Sequence, residues 1–84
     1  MIDAHGRTKQ IYVILEELSE LTKAITKYER GLRADVDDIT EEIADVLIVI
    51  EYAKLIYGIA DIDVQEAMDD KLDRLKHYKV LPKK

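Results

Sequence analysis

Glu16-Glu17-Leu18-Ser19-Glu20 and Glu41-Glu42-Ile43-Ala44-Asp45 are the two segments of this 84-residue chain whose residue types and spacing could do chemistry. Residues three apart project from one side of a helix, so Glu17 with Glu20, and Glu42 with Asp45, each form a pair of oxygen donors. Glu17 and Glu42 also fall inside apolar stripes, where an unpaired charge is costly and is seldom placed without a partner. Acids in a first turn are favoured by the helix dipole, which by itself would account for Glu41 and Glu42. Antiparallel packing of the two helices, however, would bring four carboxylates together. Such a cluster repels itself without a cation.

The donor set narrows the cation. There is no cysteine, so thiolate sites are unavailable. Di-iron bundles use Glu-x-x-His pairs, and neither His5 nor His77 has that spacing. Both histidines read as surface residues, and no histidine-assisted nucleophile is evident. Carboxylates without imidazole favour hard ions, Mg²⁺ first and Mn²⁺ next. Mg²⁺ commonly keeps several waters and is completed by substrate phosphates.

The elements that must position these acids are three helices. With 48% apolar residues, no Trp or Phe, one Pro and three Gly, the composition favours helix over turn-rich β structure. The first helix is expected from Arg7 to Arg30, stopped by Gly31, with Ile11, Val13, Ile14, Leu15, Leu18, Leu21, Ala24, Ile25 and Tyr28 on its apolar arc. Glu17 lies within that arc and Glu20 at its edge. Glu16, Lys23 and Lys27 lie on the polar side. After an acidic connection, Leu32 to Asp37, the second helix is expected with Asp38 as N-cap and Glu41 in the capping-box position, ending near Tyr57 before Gly58. It is apolar almost all round, as buried helices are. Its Glu42 and Asp45 share a side with Val46, Val49, Ala53 and Ile56.

The third helix is expected to use Asp63 as N-cap and Glu66 in the capping box, and to run to about Tyr78, with a frayed tail around Pro82. Lys71 falls amid its stripe of Val64, Ala67, Met68, Leu72, Leu75 and Tyr78, with Arg74 at the margin. Either the Lys71 stem covers core surface while its amine reaches solvent, or Lys71 and Arg74 bind phosphate oxygens near the metal, with Lys23, Lys27 and Lys54 as weaker candidates because each lies on a polar strip or its margin. Tyr12, Tyr52 and Tyr57 read as core or interface residues rather than as base-stacking platforms.

The order Glu-Glu-x-x-Glu, a spacer with a turn, then Glu-x-x-Asp followed by Val46-Leu47-Ile48-Val49 resembles the metal motif of MazG-like all-α nucleoside triphosphate pyrophosphohydrolases. The resemblance covers about residues 8–80. It implies Mg²⁺-dependent attack of water on a nucleoside triphosphate, releasing a nucleoside monophosphate and pyrophosphate. By motif position it implies Glu17, Glu20, Glu42 and Asp45 as metal ligands. Glu16 and Glu41 would then support the ligands or orient the attacking water, and Lys71 and Arg74 would bind phosphates. Metal ions activate water and neutralise phosphate charge, so no covalent nucleophile is required. There is no Gly-rich phosphate loop, which argues against a P-loop mechanism.

The expectation is therefore an all-α, three-helix chain with an antiparallel hairpin core, a single domain over residues 1–84. A chain this short buries a modest fraction of its surface, and two neighbours cannot cover the second helix on every side. A homodimer or homotetramer forming a helical bundle is expected. A net charge of −5 argues against a nucleic acid polymer as partner. The N-terminus lacks a signal-peptide pattern and the longest apolar run is too short to span a membrane, so a cytoplasmic location is expected. The competing reading is a non-catalytic oligomeric helical interaction or nucleotide-binding protein, with the acids solvated or paired across an interface. A helical enzyme resembling chorismate mutases ranks lower, because the charges on the buried faces are mostly acidic.

Overall fold

The structure, a computed structural model, describes residues 4–32 and 34–78. It is all-α: α1 spans Ala4–Glu29, α2 Val36–Tyr57 and α3 Asp61–Tyr78. α1 and α2 form the expected hairpin, while α3 makes almost no contact with either. The expectations for His77 and for the tail around Pro82 lie outside the residues whose side chains are described. His5, expected in a leader, has its backbone in the first turn of α1.

The hairpin turn is built from two local motifs. α1 closes on Gly31, at φ 70°, where the Leu32 N–H donates to the Lys27 carbonyl at 2.9 Å and the Gly31 N–H to that of Tyr28 at 3.1 Å. These are the paired bonds of a Schellman ending, which needs a left-handed residue at that point. α2 then starts three residues earlier than the sequence suggests. Its N-cap is Asp35, not Asp38: the Asp35 side chain accepts from the Asp38 N–H at 3.0 Å, and the Asp38 carboxylate accepts from the Asp35 N–H at 2.9 Å. Asp38 thus fills the position that Glu or Gln takes in the usual box, which is why the pattern Asp38…Glu41 misplaced the start. The same correction applies to α3, whose first turn already contains Asp63, with its N–H bonded to the Ala60 carbonyl at 3.1 Å.

The seam between α1 and α2 holds the buried apolar residues, Ala24, Val46 and Val49. Ile11, Ile14 and Leu21 on α1, and Ala53 and Ile56 on α2, are half-buried beside them. At the open end of the hairpin the Arg7 guanidinium lies 5.4 Å from the centre of the Tyr57 ring, a cation–π contact between the start of α1 and the end of α2. The rest of α2 is less covered than its apolar character leads one to expect. Leu47, Ile48 and Leu55 are 59%, 54% and 76% exposed.

α2 turns into α3 through Gly58, at φ 65°, with the Ile59 N–H bonded to the Lys54 carbonyl at 2.9 Å. The Lys54 side chain closes the corner, its amine 2.6 Å from Asp61 and 2.7 Å from Glu51. These two carboxylates hold the Lys54 pKa above the ordinary lysine value, the hydrogen bond to Asp61 contributing most.

A Cβ at Gly58 would meet nothing within 4 Å, so Gly58→Ala tests backbone strain alone. The left-handed conformation should cost about 1–2 kcal/mol, and Asp35→Ala about 1 kcal/mol through loss of the cap. Thermal unfolding should show both variants lowered by several degrees. An unchanged melting temperature for Gly58→Ala would mean the corner is not held as described.

Candidate metal centre

The antiparallel hairpin sets the α1 acids against the acids in the first half of α2. Carboxylate oxygens of Glu17, Glu42 and Asp45 all lie within 4.8 Å of one another. Glu17 and Glu42 are half-buried and Asp45 is exposed, so the cluster stands where the apolar seam opens to water. Glu42 Oε2 is buried and has no hydrogen-bond partner among the described residues. An unsatisfied buried carboxylate oxygen carries its full desolvation cost, and here it sits beside two further acids.

The electrostatics follow from that crowding. The Glu17 carboxyl is pushed above its ordinary value, first by burial and then by the charges of Asp45 and Glu42, with a hydrogen bond to Asp45 that needs a shared proton. Burial also raises Glu42, followed by the charges of Asp45, Glu20 and Glu41. Such a group of oxygens is stabilised either by protons or by a cation, and its hard, imidazole-free donor set fits Mg²⁺ or Mn²⁺.

Three of the four expected ligands therefore come together. Glu20, the fourth, is half-buried one turn further along α1. It lines an adjoining cleft of about 270 Å³ with Glu41 and Glu42. Glu16 and Glu41 are exposed, Glu41 on the wall of that cleft. Lys71 and Arg74 are exposed on α3, with Arg74 3.8 Å from Asp70, and neither lines the cleft. Lys23 and Lys27, ranked below Lys71 and Arg74 from the sequence because they lie on the polar side of α1, do line it. Their positions three and seven residues after Glu20 were the available signal, since that spacing keeps them on the Glu20 face.

Comparison with known proteins gives the family of the chain. A family model described as the MazG nucleotide pyrophosphohydrolase domain matches residues 6–79, which takes in both acid segments and all three helices. The chain belongs to the MazG family. No curated protein and no solved structure matches it. Among the described residues no helix is long and apolar enough to cross a membrane.

Folding raises the proton affinity of Glu17 and Glu42 above the ordinary value of 4.5. The native state then binds more protons than the unfolded chain between the ordinary and the raised values. Without divalent cation, stability should accordingly fall as pH rises through that window and stay low above it. Glu17→Gln should flatten this dependence and raise the melting temperature at neutral pH. Added Mg²⁺ should stabilise the wild-type protein, by about 2.7 kcal/mol at a hundred times its dissociation constant, and the variant less. Scanning calorimetry across pH, with and without Mg²⁺, checks both signs. Wild-type melting that ignores both Mg²⁺ and Mn²⁺ would speak against a metal centre.

Proposed function

We propose that this MazG-family chain is a Mg²⁺-dependent hydrolase that cleaves a nucleoside triphosphate to a nucleoside monophosphate and pyrophosphate. The observation that carries the reading is the unpartnered Glu42 oxygen within a cluster of three carboxylates, on a chain whose family acts on nucleotide pyrophosphate bonds. Glu17, Glu42 and Asp45, with Glu20 from the adjoining turn, hold the cation. A divalent ion bound there would neutralise phosphate charge and lower the pKa of water. Glu16, exposed beside the cluster, orients the attacking water or accepts its proton, and Glu41, on the cleft wall, supports the ligands. Mn²⁺ is the alternative ion.

The active form in this reading is a homodimer or homotetramer in the cytoplasm. The chain exposes 7341 Å², whereas a compact monomer of its 9.7 kDa exposes roughly 5,100 Å². Its radius of gyration is 15.9 Å, against about 12 Å for a compact domain of this length. A second copy packed on the bare faces of α2 and α3 removes that excess. Lys71 and Arg74 then reach the phosphates from a neighbouring copy's α3, since α3 does not return to its own hairpin. The whole chain acts as one domain within that assembly.

A panel of nucleoside triphosphates with and without Mg²⁺, scored for pyrophosphate against orthophosphate, tests the reaction. Pyrophosphate release that requires metal is expected. Glu17→Gln and Asp45→Asn should each lose on the order of 100-fold in kcat, because a metal ion's contribution to charge stabilisation amounts to several kcal/mol. Full activity in both variants would remove the ligand assignment. Mixing Asp45→Asn with Lys71→Gln chains should restore part of the activity that each lacks alone. Failure to complement, with Lys71→Gln inactive, would place Lys71 on the same chain as the metal it serves.

A further inference from the structure

The cleft beside the carboxylate cluster has walls of both signs. Glu42 belongs to the cluster and to the cleft wall, so the cleft opens directly from the metal centre and runs toward the hairpin turn. Across from Asp38, Glu41 and Glu42 of α2, α1 contributes Glu20, Lys23 and Lys27. Lys23 and Lys27 are four apart and face the same way, an arrangement in which like charges repel unless an anion lies between them. The Lys23 amine is 3.5 Å from Glu20, in a loose, exposed pair of the kind that contributes little. Among the described residues Lys27 has no ion-pair partner. The only apolar side chains on the walls, among the described residues, are those of Ala24 and Ala34, and no aromatic ring among them lines the cleft. The cleft therefore offers nothing to a nucleobase. It suits a chain of phosphates.

We infer that Lys23 and Lys27 hold the two outer phosphates of the substrate, the part that leaves as pyrophosphate. This rests on the proposed reaction: with the phosphate under attack at the carboxylate-held cation, the rest of the phosphate chain enters the cleft past Glu42. There it would face Asp38 and Glu41, and the two lysines offset that repulsion. They act by binding and by stabilising charge on the departing group. They do not ligate the metal and do not touch the nucleoside.

Calorimetric titration of inorganic pyrophosphate, in excess Mg²⁺, into wild type, Lys23→Gln, Lys27→Gln, the double variant and Lys27→Arg tests this independently of turnover. Both lysines are exposed, so folding should be unaffected, which circular dichroism verifies. Each Gln substitution should weaken pyrophosphate binding about tenfold, as expected for loss of one charged hydrogen bond. Lys27→Arg should retain most of the affinity. Nucleoside monophosphate binding and Mg²⁺ binding should be unchanged in every variant, and in hydrolysis assays KM for the triphosphate should rise. Pyrophosphate affinity unchanged in the double variant overturns the inference, as does an equal loss for monophosphate and pyrophosphate, or no pyrophosphate binding by the wild type. A wild type that binds pyrophosphate through these lysines yet hydrolyses no triphosphate would remove the proposed reaction and leave the anion site standing.

Discussion

Packing α1 against α2 through one apolar seam forces Glu17, Glu42 and Asp45 to within 4.8 Å of one another, and most of the proposed chemistry of the chain depends on that constraint. The seam is made of small residues. Ala24, Val46 and Val49 are its buried members, and the separation of two packed helices is set by the side chains at their contact. Small side chains let the backbones approach, so even the short arm of Asp45 reaches the acid of the facing helix. The burial that favours the hairpin thus works against the ionised cluster, and its unfavourable share falls chiefly on Glu17 and Glu42, whose carboxyls are both raised.

That opposition explains what could be read from the sequence. The face Glu42, Val46, Val49, Ala53, Ile56 follows from helical periodicity alone, and it is the face α2 turns to α1. Glu17 was likewise legible as an acid inside an apolar arc. Helix starts were not, because a capping box is defined by side chain to backbone bonds, and Asp35 with Asp38 makes one as well as Asp38 with Glu41 would have. Composition cannot rank two acids that are each able to cap. Lys23 and Lys27 ranked low for another reason. On a helical wheel they belong to the polar side, and the cleft in front of them exists only once the α1 to α2 connection folds back and sets Asp38 and Glu41 opposite.

The corner between α2 and α3 has a comparable logic. Gly58 in the left-handed region redirects the chain, and Lys54, whose side chain is only 18% exposed, ties the last turn of α2 to the first of α3 through Glu51 and Asp61. One lysine amine shared between two carboxylates fixes a direction more firmly than a single surface pair, which is generally weak. The direction it fixes carries α3 away from the hairpin.

Holding α3 out has an energetic consequence that bears on the site. Met68, Leu72 and Leu75 stay open at 50%, 42% and 38% exposure, as do Leu47 and Ile48 on α2. A chain that folded α3 back would cover some of this surface itself, but it would also have to break the Lys54 bridges and strain the corner at Gly58. With the stripe bare, the proposed association of copies would supply that burial, since the hydrophobic term is roughly proportional to the area removed from water. The crowded carboxylates can be tolerated in so small a chain if two stabilising terms arrive from outside it: a cation that relieves the cluster, and a second copy that covers the stripe. Each would act on a different surface of the chain, and without either, α1 and α2 bear the repulsion with three buried residues, among those described, between them.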